Sequence, residues 1–211
     1  MRTKAEIIAR MNEVGMSQRI CAGSCQAFRA VDTGLIDQDK KMVPFVAISA
    51  NNAGERMDWW TDEIYIEELD VKGAKFDRLR TMFKDHAKSV DNAVARLENA
   101  RVDAGAFKVD AYFGTDTNSY DVFRKYADAI LTDVSVGYIV NDVQITETKG
   151  EPMHVLVTDF EVVELSAVWR GFDGGATVGR SATQGGEGVQ PKLHSADILR
   201  RKLNLKTKDT K

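Results

Sequence analysis

The chain has 211 residues, 43% of them hydrophobic and 29% charged, with a formal net charge of −3. These totals describe a globular protein with room for one sizeable core, and they exclude a low-complexity polymer. No apolar run is long enough to span a bilayer, and the opening Met-Arg-Thr-Lys-Ala-Glu lacks a signal-peptide pattern, so a cytoplasmic setting is expected. Cys21 and Cys25 are too few for a disulfide framework, and no further soft ligands lie near them for a metal. Charge is unevenly spread. From Lys192 onward there are seven basic and two acidic residues, or +5. Residues 1–191 hold the remaining 22 basic (29 less 7) and 30 acidic (32 less 2) side chains, or −8. Such asymmetry suits a tail that meets an acidic surface. It does not suit a nucleic-acid binder, because the basic segment is short and has no interleaved aromatics.

Residues 1–41 read as a helical appendage. Thr3 and Glu6 have capping-box spacing, Ile7, Ile8, Met11 and Val14 form an apolar stripe, and Gly15 stops the helix. A second helical piece is expected over 17–31. Residues 42–180 form the main domain. Residues 44–50 and 62–69 read as strands, with turn chemistry at 51–54. Phe76, Leu79, Met82 and Phe83 have helical spacing, and His86 continues that face. Residues 94–102 and 107–113 alternate as a hairpin around Asp103-Ala104-Gly105. Asn118 is placed to cap a helix running to Ile130, with Asp121 in its first turn and Val122, Phe123, Tyr126, Ala129 and Ile130 as its stripe. After a strand from Val134, residues 147–151 turn the chain into strands at 153–157 and 160–169. Residues 181–191, with Gly185, Gly186 and Gly188, are a linker, and 192–211 a basic tail with a thin apolar edge.

Three residues carry the chemistry. Ser135 stands at the mouth of a strand, on the less apolar face, with Gly137 beside it offering no side chain to block an approaching backbone. Taken alone, it is a nucleophile or simply a strand-edge serine. Glu164 shares a strand face with Phe160, Val162 and Val168, so it requires a partner that brings a proton or positive charge. Ser166, on that same face, reads as a hydrogen-bonding residue of the core. His86 alone reads as a half-buried histidine at a helix end. Together the three supply a nucleophile, a base that takes its proton, and a carboxylate that orients the base. His154 reads as an ordinary strand residue, His194 falls in the tail, and Asp159 and Glu161 point to solvent.

The ordered set Asp85-His86, Ala104-Gly105-Ala106-Phe107-Lys108-Val109, Asp133-Val134-Ser135-Val136-Gly137-Tyr138 and Val163-Glu164-Leu165-Ser166 resembles the tailed-phage prohead (capsid maturation) protease family. The likeness covers roughly residues 42–180. It implies an α+β fold, a mostly antiparallel, herpesvirus-assemblin-like β-barrel flanked by helices. It also implies a serine endopeptidase with Ser135 as nucleophile, His86 as general base and acid, and Glu164 as the orienting member. No cofactor and no metal are called for. The substrates implied are scaffold and major capsid protein precursors inside an assembling procapsid in the host cytoplasm, together with the protease's own tail. A homodimer or higher assembly is implied, with no nucleic acid and no membrane. Where the family has a proline-containing loop, this chain has Ala167-Val168-Trp169-Arg170-Gly171-Phe172. Arg170 there is a candidate to hold the oxyanion, or else a solvent-exposed arginine. The competing reading is a non-catalytic scaffold or assembly protein that retains the protease fold.

Overall fold

The computed structural model describes residues 3–13, 35–58, 63–173 and 176–178. The expected helix over 17–31, both cysteines, the linker and the basic tail lie outside the described residues. In chain order the elements are helix α1 (Lys4–Glu13), strands β1 (Met42–Ile48), β2 (Gly54–Asp58), β3 (Glu63–Leu69), β4 (Ala74–Lys75), β5 (Thr81–Lys84), β6 (Ala93–Asp103) and β7 (Ala106–Phe113), helix α2 (Thr117–Ala127), and strands β8 (Val134–Thr146), β9 (Met153–Ala167) and β10 (Thr177–Val178). The ten strands make one curled sheet in the order β10-β1-β7-β6-β5-β9-β3-β2, with β4 and β8 also paired to β9. The fold is mixed α+β and mostly β. The sheet is barrel-like, because its far strand returns to the start of β8. Asp133 bridges Thr177, Val134 N donates to Ala176 O at 3.3 Å, and Val178 N donates to Thr132 O at 3.2 Å.

Strand β9 is the spine. Along one edge it pairs antiparallel with β8 for almost its whole length. Along the other edge lie β3, β4 and β5, all parallel to it. Those three are in effect one long partner interrupted twice. From Tyr65 to Lys84 the chain advances 19 residues (84 − 65) while β9 advances 14, from Met153 to Ala167 (167 − 153). The five surplus residues are taken up in two excursions, which tuck Val71 and Leu79 into the core. The first excursion closes on Gly73, where a Cβ would run into the carbonyl of Thr158.

This layout corrects several expectations. Residues 76–83 are not helical. Phe76 and Leu79 meet the core from a turn and Met82 from β5, where Met82 pairs with Leu165, while Phe83 pairs with Ser166 on the opposite face. Apolar residues three apart suit such an excursion as well as a helix. His86 therefore follows a strand and not a helix. The strands expected at 153–157 and 160–169 are one strand, and β2 was not expected at all. Helix α2 is capped by Asp116, whose carboxylate accepts from Ser119 N at 3.0 Å, and not by Asn118. Asp121 falls beyond the first turn. The helix ends at Ala127, so Ala129 (φ 55°) and Ile130 leave its buried stripe and are exposed. Asn118 instead ties the helix to the loop before β6, accepting from Lys84 Nζ and donating to Asp91 O.

Other readings hold. Thr3 and Glu6 form the reciprocal capping box of α1, and Ile7 and Met11 bury against the sheet. The β6–β7 hairpin turns on Ala104 and Gly105, both with positive φ (49° and 74°), as a two-residue loop of this kind requires. Tyr126 of α2 is fully buried, edge-on to Phe45 with ring centroids 5.0 Å apart, and its hydroxyl donates to Asp133 O at 2.9 Å.

Two stability predictions follow from this packing. Gly73→Ala should cost about 1–3 kcal/mol through backbone overlap, read as a fall in Tm of roughly 2–12 °C for a chain this size. Burial, then the charges of Asp133 and Asp85, hold the Tyr126 phenol well above its ordinary value of 10.0. The unfolded chain releases that proton near 10 while the folded chain keeps it, so stability should be flat below that pH and fall above it. Tyr126→Phe should flatten the alkaline decline in chemical unfolding measured from pH 8 to 11.

Candidate active site

The site is assembled where three adjacent strands reach one end of the sheet. Lys84 of β5 and Val134 of β8 both pair with Ala167 of β9, so the three lie side by side. Beyond Lys84 the chain makes a tight turn in which Asp85 and His86 are both left-handed, with φ of 50° and 58°. Ala87 N donates to Lys84 O at 2.8 Å across the turn, and Asp85 N donates to Ala167 O at 2.9 Å. Left-handed backbone costs an L-residue about 1–2 kcal/mol, and Asp and His are among the residues that adopt it most readily. The turn gives His86 a fixed point of departure.

Its side chain, 16% exposed, meets the carboxylate of Glu164, which is 1% exposed, through a close Nδ1–Oε1 hydrogen bond. A carboxylate on Nδ1 favours the tautomer whose proton sits there and whose lone pair is on Nε2. Lys88, in the same loop, brings Nζ to 3.6 Å from Glu164 Oε2. The partner that a buried Glu164 requires is thus two side chains from one loop. Lys88 carries no sequence signal beyond its nearness to His86.

Ser135 lies across β9 from that loop. It pairs with Ser166, and Gly137 pairs with Glu164, so Ser135 and Glu164 are diagonal neighbours on one sheet face. Diagonal pairs stand about 7–8 Å apart at Cα, a gap of the size an imidazole bridges. His86 and Glu164 are in contact, Ser135 is half-buried on the same face, and no Ser135–His86 hydrogen bond is present among the described residues. Gly137 leaves room for the Glu164 side chain, since a Cβ there would overlap Cγ and stand 2.7 Å from Cδ. Ser166 is corrected: its fully buried hydroxyl has no hydrogen-bond partner. His154 lies away from the site, paired through Nε2 with Glu68 at 2.9 Å.

The loop after β9, carrying Arg170, is pinned beside Ser135. Gly171 N donates to Asp133 Oδ2 at 3.0 Å, and a Cβ on Gly171 would be 2.7 Å from Val134 O. Phe172 lies under the Arg56 guanidinium, 3.3 Å from its carbon to the ring centroid, and Gly54 leaves room for that ring. Asp173 accepts from Ser49 N at 2.5 Å and Ser49 Oγ at 2.7 Å. Arg170 itself is exposed. Beneath this loop, Arg56 Nη2 donates to Glu67 Oε1 at 3.4 Å, Tyr65 donates to Glu67 Oε2 at 3.3 Å, and Tyr138 also donates to Oε1. Arg56 is 4% and Glu67 1% exposed. The signal for Glu67 was available, since it shares an alternating strand face with Tyr65 and Leu69. No signal marked Arg56, which sits in a polar stretch.

Among the described residues no group of three or more His, Cys, Asp or Glu is arranged to hold a metal ion, and no helix is long and apolar enough to cross a membrane. What the arrangement offers is a hydroxyl, an imidazole and a buried carboxylate on neighbouring strands. Gly137→Ala tests the packing that sustains it. The added methyl should displace Glu164, lower stability by about 1–3 kcal/mol, and abolish the downfield imidazole N–H proton resonance of His86. A variant with unchanged Tm and resonance would contradict this geometry. The chain matches no protein-family model, and no curated protein and no solved structure matches it.

Proposed function

We propose that the protein is a serine endopeptidase of phage capsid maturation, cleaving scaffold or major capsid protein precursors in the procapsid, with an assemblin-like fold. The observation that carries the catalytic part is the contact between His86 Nδ1 and the buried Glu164, on the sheet face that also bears Ser135. The choice of capsid substrates rests on the motif resemblance alone.

In this reading Ser135 Oγ attacks the scissile carbonyl while His86 Nε2 takes its proton. Glu164 holds the ring in that tautomer and stabilises the imidazolium. The tetrahedral intermediate collapses as His86 protonates the leaving amine. Water then repeats the sequence on the acyl-enzyme and restores Ser135. Arg170, on the loop pinned beside Val134, is the side chain proposed to stabilise the oxyanion.

The test is reaction with a fluorophosphonate, followed by mass mapping, alongside processing of the co-expressed capsid precursor. Wild-type protein should label at Ser135, and Ser135→Ala should neither label nor process while keeping its Tm. Glu164→Gln should slow both by a factor on the order of 10²–10⁴ without eliminating them. Processing that survives Ser135→Ala removes Ser135 from the mechanism. A wild-type protein inert to the probe, even inside shells, favours the scaffold reading.

A further inference from the structure

Ser166 is the residue the proposed chemistry does not yet use. It is 0% exposed, and its Oγ is a buried side-chain atom without a hydrogen-bond partner. A hydroxyl with no access to solvent cannot itself meet a peptide, so Ser166 is not a second nucleophile. An orphaned buried hydroxyl is nonetheless costly, and a sequence under no other constraint would replace it with alanine. Its place in the register shows where a partner is within reach. Ser166 stands directly opposite Ser135 across the β8–β9 ladder, and two residues from Glu164 on the same strand face. Side chains at directly opposed positions have Cβ atoms about 4.5–5.5 Å apart, the spacing at which paired Ser and Thr hydroxyls hydrogen-bond. Each hydroxyl can donate once while accepting from others. Ser135 Oγ can therefore donate to the imidazole and accept from Ser166 at the same time.

We propose that Ser166 is a positioning residue that donates its hydroxyl to Ser135 Oγ and holds it turned toward His86. This rests on the catalytic reading of Ser135. The donated hydrogen bond fixes the Ser135 hydroxyl in the orientation that faces His86, so its effect falls on the rate of attack and not on binding. The same bond removes the orphan on Ser166.

The test uses the full-length chain and a fluorophosphonate, which needs no knowledge of the natural substrate. Ser135 Oγ forms the bond to phosphorus, the phosphorus–fluorine bond breaks, fluoride leaves, and the hydroxyl proton passes to His86. Ser166→Ala should lower the maximal labelling rate about threefold to tenfold, the worth of one hydrogen bond, at an unchanged half-saturating probe concentration. Its Tm should change little, because one hydrogen bond contributes only a small net stability. Ser166→Cys keeps the volume with a weak donor and should fall between the two; it carries the test should the alanine variant not fold. Labelling at the wild-type rate in both variants overturns the role of Ser166 and leaves Ser135 as the nucleophile. Parallel losses of Tm and labelling in both would assign Ser166 to packing and overturn the proposal. Absence of labelling in the wild-type protein overturns the catalytic reading and the Ser166 proposal with it.

Discussion

A buried carboxylate near the end of the longest strand sets the terms for this end of the molecule. Removing such a group from water costs several kcal/mol, which only close, well-directed partners offset. His86 hydrogen-bonds one oxygen of Glu164, while Lys88 stands 3.6 Å from the other as an ion-pair neighbour without a hydrogen bond. Each demand this makes is met by a local feature that would otherwise look arbitrary. The strand opposite must lack a side chain, and it has Gly137. The histidine must leave its own strand at once and turn back over β9, and Asp85 and His86 accept left-handed backbone to do so. That turn must not drift, and it is tied to the last residue of β9 through Asp85 N. Strain at Asp85 and His86 is thus held in place by the sheet it serves.

How much of this could be read beforehand depended on the kind of signal. Glu164 was legible as a buried charge needing a partner, but not its face: the extra Val163 in β9 turns it away from Phe160 and Val162, to the side of Ser135 and Ser166. The β6–β7 hairpin and the α1 capping box were legible because turn and cap chemistry is local. The segment 76–83 was not, because its apolar spacing came from an excursion between two short parallel strands, and parallel pairing leaves no mark on either partner alone. The end of α2 was overrun because Ala129 and Ile130 continue a helical stripe that the backbone abandons at Ala127. Asp116 and Asn118 were both chemically able to cap α2, and only the position of the first turn distinguishes them.

The N-terminal segment illustrates a different limit. Sequence set residues 1–41 apart as an appendage, yet Ile7 and Met11 of α1 belong to the same hydrophobic cluster as the sheet. The exposed pair Lys4–Asp142 and the half-buried pair Arg10–Asp58 add little to that attachment. Burying the two apolar side chains supplies about 1.5–3 kcal/mol each, and Asn12 does the directional part. Its amide donates to Val140 O at 2.9 Å and accepts from Val140 N at 2.8 Å, standing in for a neighbouring strand on the open edge of β8. An open edge is a template for unwanted pairing, so a short side chain here does what a further strand would do elsewhere. No composition or periodicity argument could have found it.

A second buried carboxylate, Glu67 of β3, meets the other face of β8 through Tyr138, and comparing the two shows what the extra residue in β9 is for. In an unbroken strand consecutive side chains face opposite sides. Gly137 pairs with Glu164 and Tyr138 with Val162, so the extra residue, Val163, lies in β9 while β8 keeps its alternation, and the Tyr138 hydroxyl reaches Glu67. Two adjacent residues of β8 thus each accommodate a different buried acid, one by having no side chain and the other by supplying a donor. Glu67 in turn holds Arg56, and Arg56 lies against Phe172 in the loop that passes Ser135. Buried ion pairs contribute little net stability and act through the geometry they enforce. In this fold that geometry runs from Tyr138 of β8, through Glu67 and Arg56 of the edge strand β2, to the loop flanking Ser135. Without the extra Val163 in β9, Glu164 would face the core beside Val162 and not the face that carries Gly137 and Ser135.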